Sequence, residues 1–331
     1  MNLIHVWVCL VGLVVIIYVV LDGFNLGVGM LFPTAGNKEE QDVLIASIAP
    51  VWDANQTWIV FGGGALFASF PTIYTVLFSA LYIPLLTFLF GLIFRGVAFE
   101  FRANSRNQTI WNHAFFWGSF IAAFAQGLTL GGYLSGIQVA GDSFAGGPMD
   151  WLTPFSLMTG VALVIGYVLL GSTYIIIKTT GPVQDRAYRQ AFLSACGVAV
   201  FLGVVCLWTP SHNPEITSRW LNEPRVYFIW VLPVLCLTSF YFLFATLKKR
   251  KESQPFVWSL LIFISAYLAL QAAIYPSAIF PEISVYDAAS QTETLSFTLW
   301  GVCMILPFVL GYVFYSYRVF HGKIAYGEEY D

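Results

Sequence analysis

Nine stretches of mainly apolar residues, near 4–32, 43–70, 74–99, 112–136, 153–177, 190–209, 226–247, 256–276 and 295–317, leave this chain few ways to fold. A hydrocarbon layer of ~30 Å takes roughly 20 residues of α-helix to cross. Inside it the protein must pair every backbone N–H and C=O itself, which admits helices and closed barrels. The stretches are too long and too evenly apolar for the alternating strands of a barrel. Only 10% of residues are charged and 58% are hydrophobic, where soluble domains carry about 25% charge. The sequence therefore predicts an all-α, polytopic membrane protein with nine transmembrane helices.

Basic residues orient it. Cytoplasmic loops are enriched in Lys and Arg, and nine spans make successive connections alternate sides. Lys38, Arg95, Arg102, Arg106, Lys178, Arg186, Arg189, Lys248, Lys249, Arg250, Lys251, Arg318 and Lys323 fall on one side, and Arg219 and Arg225 on the other. This places the N-terminus outside and the C-terminus in the cytoplasm. The first stretch has no basic residue before it and is longer than a signal-peptide core, so it reads as a retained helix. External connections near 137–152, 210–225 and 277–294 are too short to fold alone. Residues 1–331 read as a single membrane domain. Its polar motifs gather in helices 1–4, residues 1–136, while 137–331 form a mostly apolar scaffold.

The residues able to carry chemistry are few. "APVWDANQTWIVFGGGALFASFP" puts Asp53, Asn55, Gln56 and Thr57 between Trp52 and Trp58, ahead of Gly62–Gly64. On one continuous helix starting near Val43, Asp53 lies roughly 15 Å deep, close to the midplane. A carboxylate there costs ~2.5–3.5 kcal/mol on insertion scales and marks an ion or proton pathway, or pins a neighbouring helix through a buried hydrogen bond. Asp22, in the cytoplasmic half of helix 1, extends the series; its "DGFN" setting equally fits a turn or helix contact. Glu100 closes the ladder at the inner end of helix 3, and Arg95 beside it reads as an interfacial anchor. Gly23/Gly27 and Gly132/Gly136 have the spacing of close helix crossings. Cys9, Cys196, Cys206, Cys236 and Cys303 lie inside apolar spans without a C-x-x-C pair and read as small buried hydrophobes. His5, His113, His212 and His321 sit at helix ends or in loops. With Met30, Met158 and Met304 isolated, no haem ligand set or metal site is indicated in this chain.

The stretches "LDGFNLGVGML", "SIAPVWDANQTWIVFGGGALFASFP", "FRGVAFEFR", "YDAASQTETLSFTLW" and "VFHGKI" together resemble subunit II of the cytochrome bd-type quinol oxidases. The resemblance spans essentially the whole chain; helices 4 to 7 match mainly in length and hydropathy. It implies a bacterial inner-membrane heterodimer in which subunit I carries haem b and haem d and binds quinol. This chain would then be a companion without haem, with small single-helix accessory subunits and lipid as further neighbours and no nucleic acid. The resemblance also implies a cytoplasmic proton path along the subunit interface, using Asp53 of W-D-x-N-Q and Glu100 of F-R-x-x-x-F-[DE]-x-R. Arg95 and Asp22 stand alongside, with Trp52, Asn55, Gln56 and Trp58 in support. Glu100 stands where the family often has Asp. Two other readings fit the residues: a secondary transporter with an interrupted-helix site at Asp53, and an assembly scaffold that moves no protons.

Overall fold

Proline sets where the helices break. The computed structural model describes residues 3–212 and 226–324, for 209–212 and 226–229 the backbone alone, and contains eleven α-helices among them. They are α1 Leu3–Leu31, α2 Lys38–Ile48, α3 Trp52–Ser69, α4 Pro71–Ala80, α5 Tyr82–Asn104 and α6 Gln108–Leu134, then α7 Pro154–Lys178, α8 Gly181–His212, α9 Val226–Lys248, α10 Gln254–Ile274 and α11 Thr292–Val319. Eight helical stretches are long and apolar enough to cross a membrane: Leu3–Thr34, α5, α6, α7, Gly181–Trp208, Trp230–Lys248, α10 and α11. The chain is thus an all-α multi-pass membrane protein. The expected connection near 210–225, with Arg219 and Arg225, falls largely outside the described residues, as does the His212 side chain.

Two of the expected spans are interrupted. The stretch 43–70 is divided between α2 and α3, because Pro50 lacks the N–H that a continuous helix needs and Val51 takes φ −127°. The stretch 74–99 is divided at Leu81. Pro84, in the first turn of α5, would press its ring against the Ala80 carbonyl of an unbroken helix, so α4 ends there. Pro71 sits in the first turn of α4, where its missing N–H is harmless.

Helix crossings rest on glycine. A Cβ on Gly27 would lie 1.9 Å from the Tyr167 carbonyl oxygen, and one on Gly171 would lie 2.5 Å from the Gly27 carbonyl carbon, so α1 and α7 touch backbone to backbone. Gly91 and Gly118 do the same for α5 and α6, and Gly127 and Gly160 for α6 and α7. In lipid, where apolar side chains gain little by meeting one another, such approach supplies much of the contact energy. Gly23 and Gly27 thus act as expected, but Gly136 does not. It lies beyond the end of α6 at φ +97°, with nothing near its Cβ position, and stops the helix instead of packing it. The cysteines also depart from expectation. Cys9, Cys196, Cys206 and Cys303 are exposed and Cys236 is half-buried, because they occupy faces turned away from neighbouring helices.

α2 fastens one end of the bundle through consecutive residues. Asn37 caps it by accepting from the Glu40 N–H. Glu40 pairs with Arg186 of α8, Gln41 accepts from Asn112 of α6, and Asp42 pairs with Arg102 of α5 at 2.7 Å. Tyr174 of α7 donates to the Ser47 carbonyl. α11 is held differently. Of its 28 residues Leu295 and Ser316 are buried, while Phe297 and Phe308 are 81% and 79% exposed. Its ends are tied instead: Trp7 Nε1 donates to Leu295 O at 3.0 Å, and Lys178 Nζ donates to the Phe320 and Gly322 carbonyls. Ile324 N–H returns to Lys178 O, and Lys323 pairs with Glu252. Two short hairpins, β1 Val139–Ala140 with β2 Ser143–Phe144 and β3 Ser277–Ile279 with β4 Ile283–Ser284, close loops the sequence reading left without strands.

These contacts make two predictions. Gly27→Ala will destabilise the protein by roughly 1–3 kcal/mol or more through overpacking. Gly203→Ala, on α8 with nothing within 4 Å of its Cβ position, will be neutral or stabilising by up to ~1 kcal/mol; thermal unfolding of the purified protein compares them. The Glu252 carboxyl is held below its ordinary range by hydrogen bonds from Lys323 and then Gln184. A depressed carboxyl stabilises above its unfolded pKa and loses that contribution as pH falls through the folded one. Amide-exchange protection at Ile324 will therefore persist at neutral pH, decline under acid, and become less acid-sensitive in Lys323→Gln.

Candidate functional site: a sealed ion pair behind an open acidic face

The deepest charges form a closed pair. Asp22 on α1 and Arg95 on α5 are 0% and 1% exposed, with Arg95 Nη2 donating to Asp22 Oδ1 at 2.8 Å. Tyr18, one turn earlier on α1, donates to Asp22 Oδ2 at 3.1 Å, and Asn25 Nδ2 donates to Oδ1 at 3.3 Å. The carboxylate thus accepts from three side chains. Gly91 and Gly118 bring α6 against the α5 backbone at Arg95 itself. Arg95 is therefore no interfacial anchor. Its phase on α5 points it inward, where only a counter-ion makes a buried charge tolerable.

Asp53 lies elsewhere. Because the chain breaks after α2, Asp53 is the second residue of α3 and not the middle of one continuous helix. The 18 residues of α3 span about 27 Å, close to the thickness of the hydrocarbon layer. The positive end of the α3 dipole favours a carboxylate there. α3 presents two opposed stripes. Asn55, Trp58, Gly62, Ala65 and Ser69 are buried, whereas Asp53, Thr57, Val60, Gly64 and Phe67 are exposed. Val14 of α1 meets Gly62, which marks the buried stripe as the α1 side.

Asn55 holds that side in place. Its Nδ2 donates to Leu21 O at 2.9 Å and to Tyr317 Oη at 3.0 Å, and Tyr317 Oη donates to its Oδ1 at 3.2 Å. At the other end of α3, Ser290 covers the last carbonyls: its N–H donates to Ser69 O and its hydroxyl to Ala68 O. Trp52 lies over Gly96 and against Phe99, ring centroids 5.0 Å apart, which sets the start of α3 beside α5. Glu100, next along α5, is exposed like Asp53.

The residues singled out from sequence thus divide into two groups. Asp22 and Arg95 are sealed together, with Asn55 and Trp58 also turned inward. Asp53 and Glu100 face out on neighbouring helices, with Trp52 between the helices and Gln56 half-buried. Asn55 and Trp58 therefore support α3 from within and do not line its open face. Tyr18, Asn25 and Tyr317 were missed. Tyr18 had a readable signal, since it stands four residues before Asp22 on the same helix face. The described histidines are taken up at the periphery. His5 meets Tyr286 Oη at 3.0 Å, His113 is exposed, and His321 Nδ1 lies 2.7 Å from Arg318 O.

Breaking the pair will cost more than removing it. Arg95→Leu or Asp22→Leu leaves one buried ion uncompensated and is expected to destabilise by about 3–5 kcal/mol, while the double variant recovers most of that loss. Thermal denaturation of the four proteins, read as a double-mutant cycle, measures the coupling.

Comparison with known proteins bears on the whole chain. The sequence matches the family described as cytochrome bd terminal oxidase subunit II over residues 3–320. It is 30% identical to cytochrome bd-I ubiquinol oxidase subunit 2 of Escherichia coli (strain K12) across 358 aligned positions, covering 97% of this chain and 94% of the relative. It is likewise 30% identical to cytochrome bd ubiquinol oxidase subunit 2 of Bacillus subtilis (strain 168), covering 99% and 98%. The bd oxidase structure from Geobacillus thermodenitrificans shares the fold, with TM-score 0.79 at 15% identity over 97% of this chain and 99% of that one. The transporter reading is thereby set aside. The chain belongs to the family of subunit II of the cytochrome bd terminal oxidases, and so to the subunits of an oxidoreductase complex in the membrane.

Proposed function

We propose that this chain is the non-haem subunit of a quinol-oxidising, dioxygen-reducing heterodimer in the bacterial inner membrane, and that its Asp53–Glu100 face takes up cytoplasmic protons at the boundary with subunit I. Quinol is the substrate named for its relatives. Haem b and haem d, held by subunit I, supply the electron transfer; what this chain's residues do is bind the partner and conduct protons. With α3 added to the eight helices that meet the length and hydropathy limits, the spans number nine. The basic residues then put the N-terminus outside and the cytoplasm at the α2 end. Residues 1–136 carry the conducting face, and 137–331 the scaffold. Lipid and small accessory helices would cover the remaining apolar surface.

One observation carries this reading: Asp53 and Glu100 are both exposed, each next to one of the two rings, Trp52 and Phe99, through which α3 meets α5, while Asp22 and Arg95 are sealed together. An unpaired carboxylate facing lipid within a span is costly. A partner subunit that brings water or polar groups to the seam removes that cost. The exposed stripe of α3, from Asp53 through Thr57, Val60 and Gly64 to Phe67, repeats at the three- and four-residue spacing of a helix-packing seam. Asp53, at the mouth, exchanges its proton with inner-face water, and Glu100 offers a second carboxylate on the adjoining helix. Asp22 and Arg95 contribute from behind, holding α1 to α5 and so keeping the two acids in register.

Asp53→Asn in the intact complex is expected to slow dioxygen consumption per haem by about tenfold or more, and Glu100→Gln to slow it less, with proton uptake falling in parallel. A haem-loaded complex with unchanged turnover in both variants would leave this chain as an assembly scaffold.

A further inference from the structure

The geometry points to Tyr317 as a positioning residue for proton uptake, acting through Asn55 on the turn that carries Asp53; the inference rests on the reading of Asp53 given above. Tyr317 is near the end of α11, about 260 residues from α3, yet its hydroxyl engages both ends of one amide. It accepts from Asn55 Nδ2 at 3.0 Å and donates to Asn55 Oδ1 at 3.2 Å. The same Nδ2 also donates to Leu21 O at 2.9 Å, beside Asp22. Asn55 is fully buried, so water is not available to replace a lost partner.

Asn55 also controls the local backbone. Its N–H donates to Val51 O at 3.0 Å, and Val51 is the residue that precedes α3. Asp53 lies inside the turn this bond closes. Val51 offers no side-chain cap, so the start of α3 depends on packing and on the anchorage of Asn55. Removing the Tyr317 hydroxyl leaves Asn55 Oδ1 without its donor in a sealed site. The turn then gains by rotating the amide toward another donor, which moves Asp53.

Tyr317 is in turn fixed by its own end of α11. Lys178 binds the carbonyls of Phe320 and Gly322, and Ile324 N–H bonds Lys178 O. Its ring packs at the margin of the main apolar core, so Tyr317→Phe keeps the packing and deletes the hydroxyl alone. The position of a proton carrier on α3 is thereby tied to the seating of the last helix.

The test uses the intact two-subunit complex, with turnover normalised to bound haem so that incomplete assembly does not mask the result. Tyr317→Phe is expected to lower dioxygen consumption about three- to tenfold. The loss will grow from pH 6 to pH 9 as protons become scarce. In an Asp53→Asn background the same substitution will add no further loss. Unchanged turnover, a loss independent of pH, or an undiminished loss in the Asp53→Asn background would each overturn the role of Tyr317 while leaving Asp53 standing. Full activity of Asp53→Asn itself overturns the underlying reading and this one with it.

Discussion

The Asp22–Arg95 ion pair is the constraint around which the rest of the bundle is arranged. Both ions are sealed from the surface, so each depends on the other, and the pair survives only if α1 and α5 keep their register. Tyr18 and Asn25 complete the carboxylate's hydrogen bonds from its own helix. The neighbouring helices then fit around this fixed point. α6 closes on α5 through Gly91 and Gly118, and α7 closes on α1 through Gly27 and Gly171. A pair of this kind contributes little net stability compared with well-packed apolar groups, but a bundle assembled one turn out of register would leave both ions buried and unpaired.

That register passes directly to the face where chemistry is proposed. α3 lies against α1 by one stripe and shows the opposite stripe outward, so the position of Asp53 follows from where α1 stands. Asn55 makes the link at atomic scale, through Leu21 on one side and Tyr317 on the other. α2 adds the lateral restraint: Glu40, Gln41 and Asp42 reach three different helices in three successive residues. The polar residues singled out in this chain thus divide into sealed ones, Asp22, Arg95 and Asn55, and open ones, Asp53 and Glu100.

The sequence made the membrane and the helical class legible, because a twenty-residue apolar run has one physical meaning, and it made the carboxylates within such runs conspicuous. Breaks were harder to see. Pro50 was visible, but averaging over a long apolar stretch joined α2 to α3 and placed Asp53 within one continuous helix instead of at the start of a second. Orientation was hidden altogether. In water an apolar residue is drawn to the core, whereas in lipid both faces of a helix are apolar; the outward turn of Cys9, Cys196, Cys206 and Cys303 therefore had no signature. Arg95 was misplaced for a related reason. Its neighbours Glu100 and Arg102 suggested a surface, and nothing local disclosed the carboxylate 73 positions away. Tyr317 lay further still from the amide it holds.

The way α11 is fastened bears on the order in which the protein is made. It is synthesised last among the described helices, yet it supplies the acceptor for Trp7 and the hydroxyl for Asn55, both on segments that leave the ribosome early. Until it arrives, the indole and the amide lack these partners. Maturation is therefore a circular event, in which the final segment must return to the first before the interior is chemically complete.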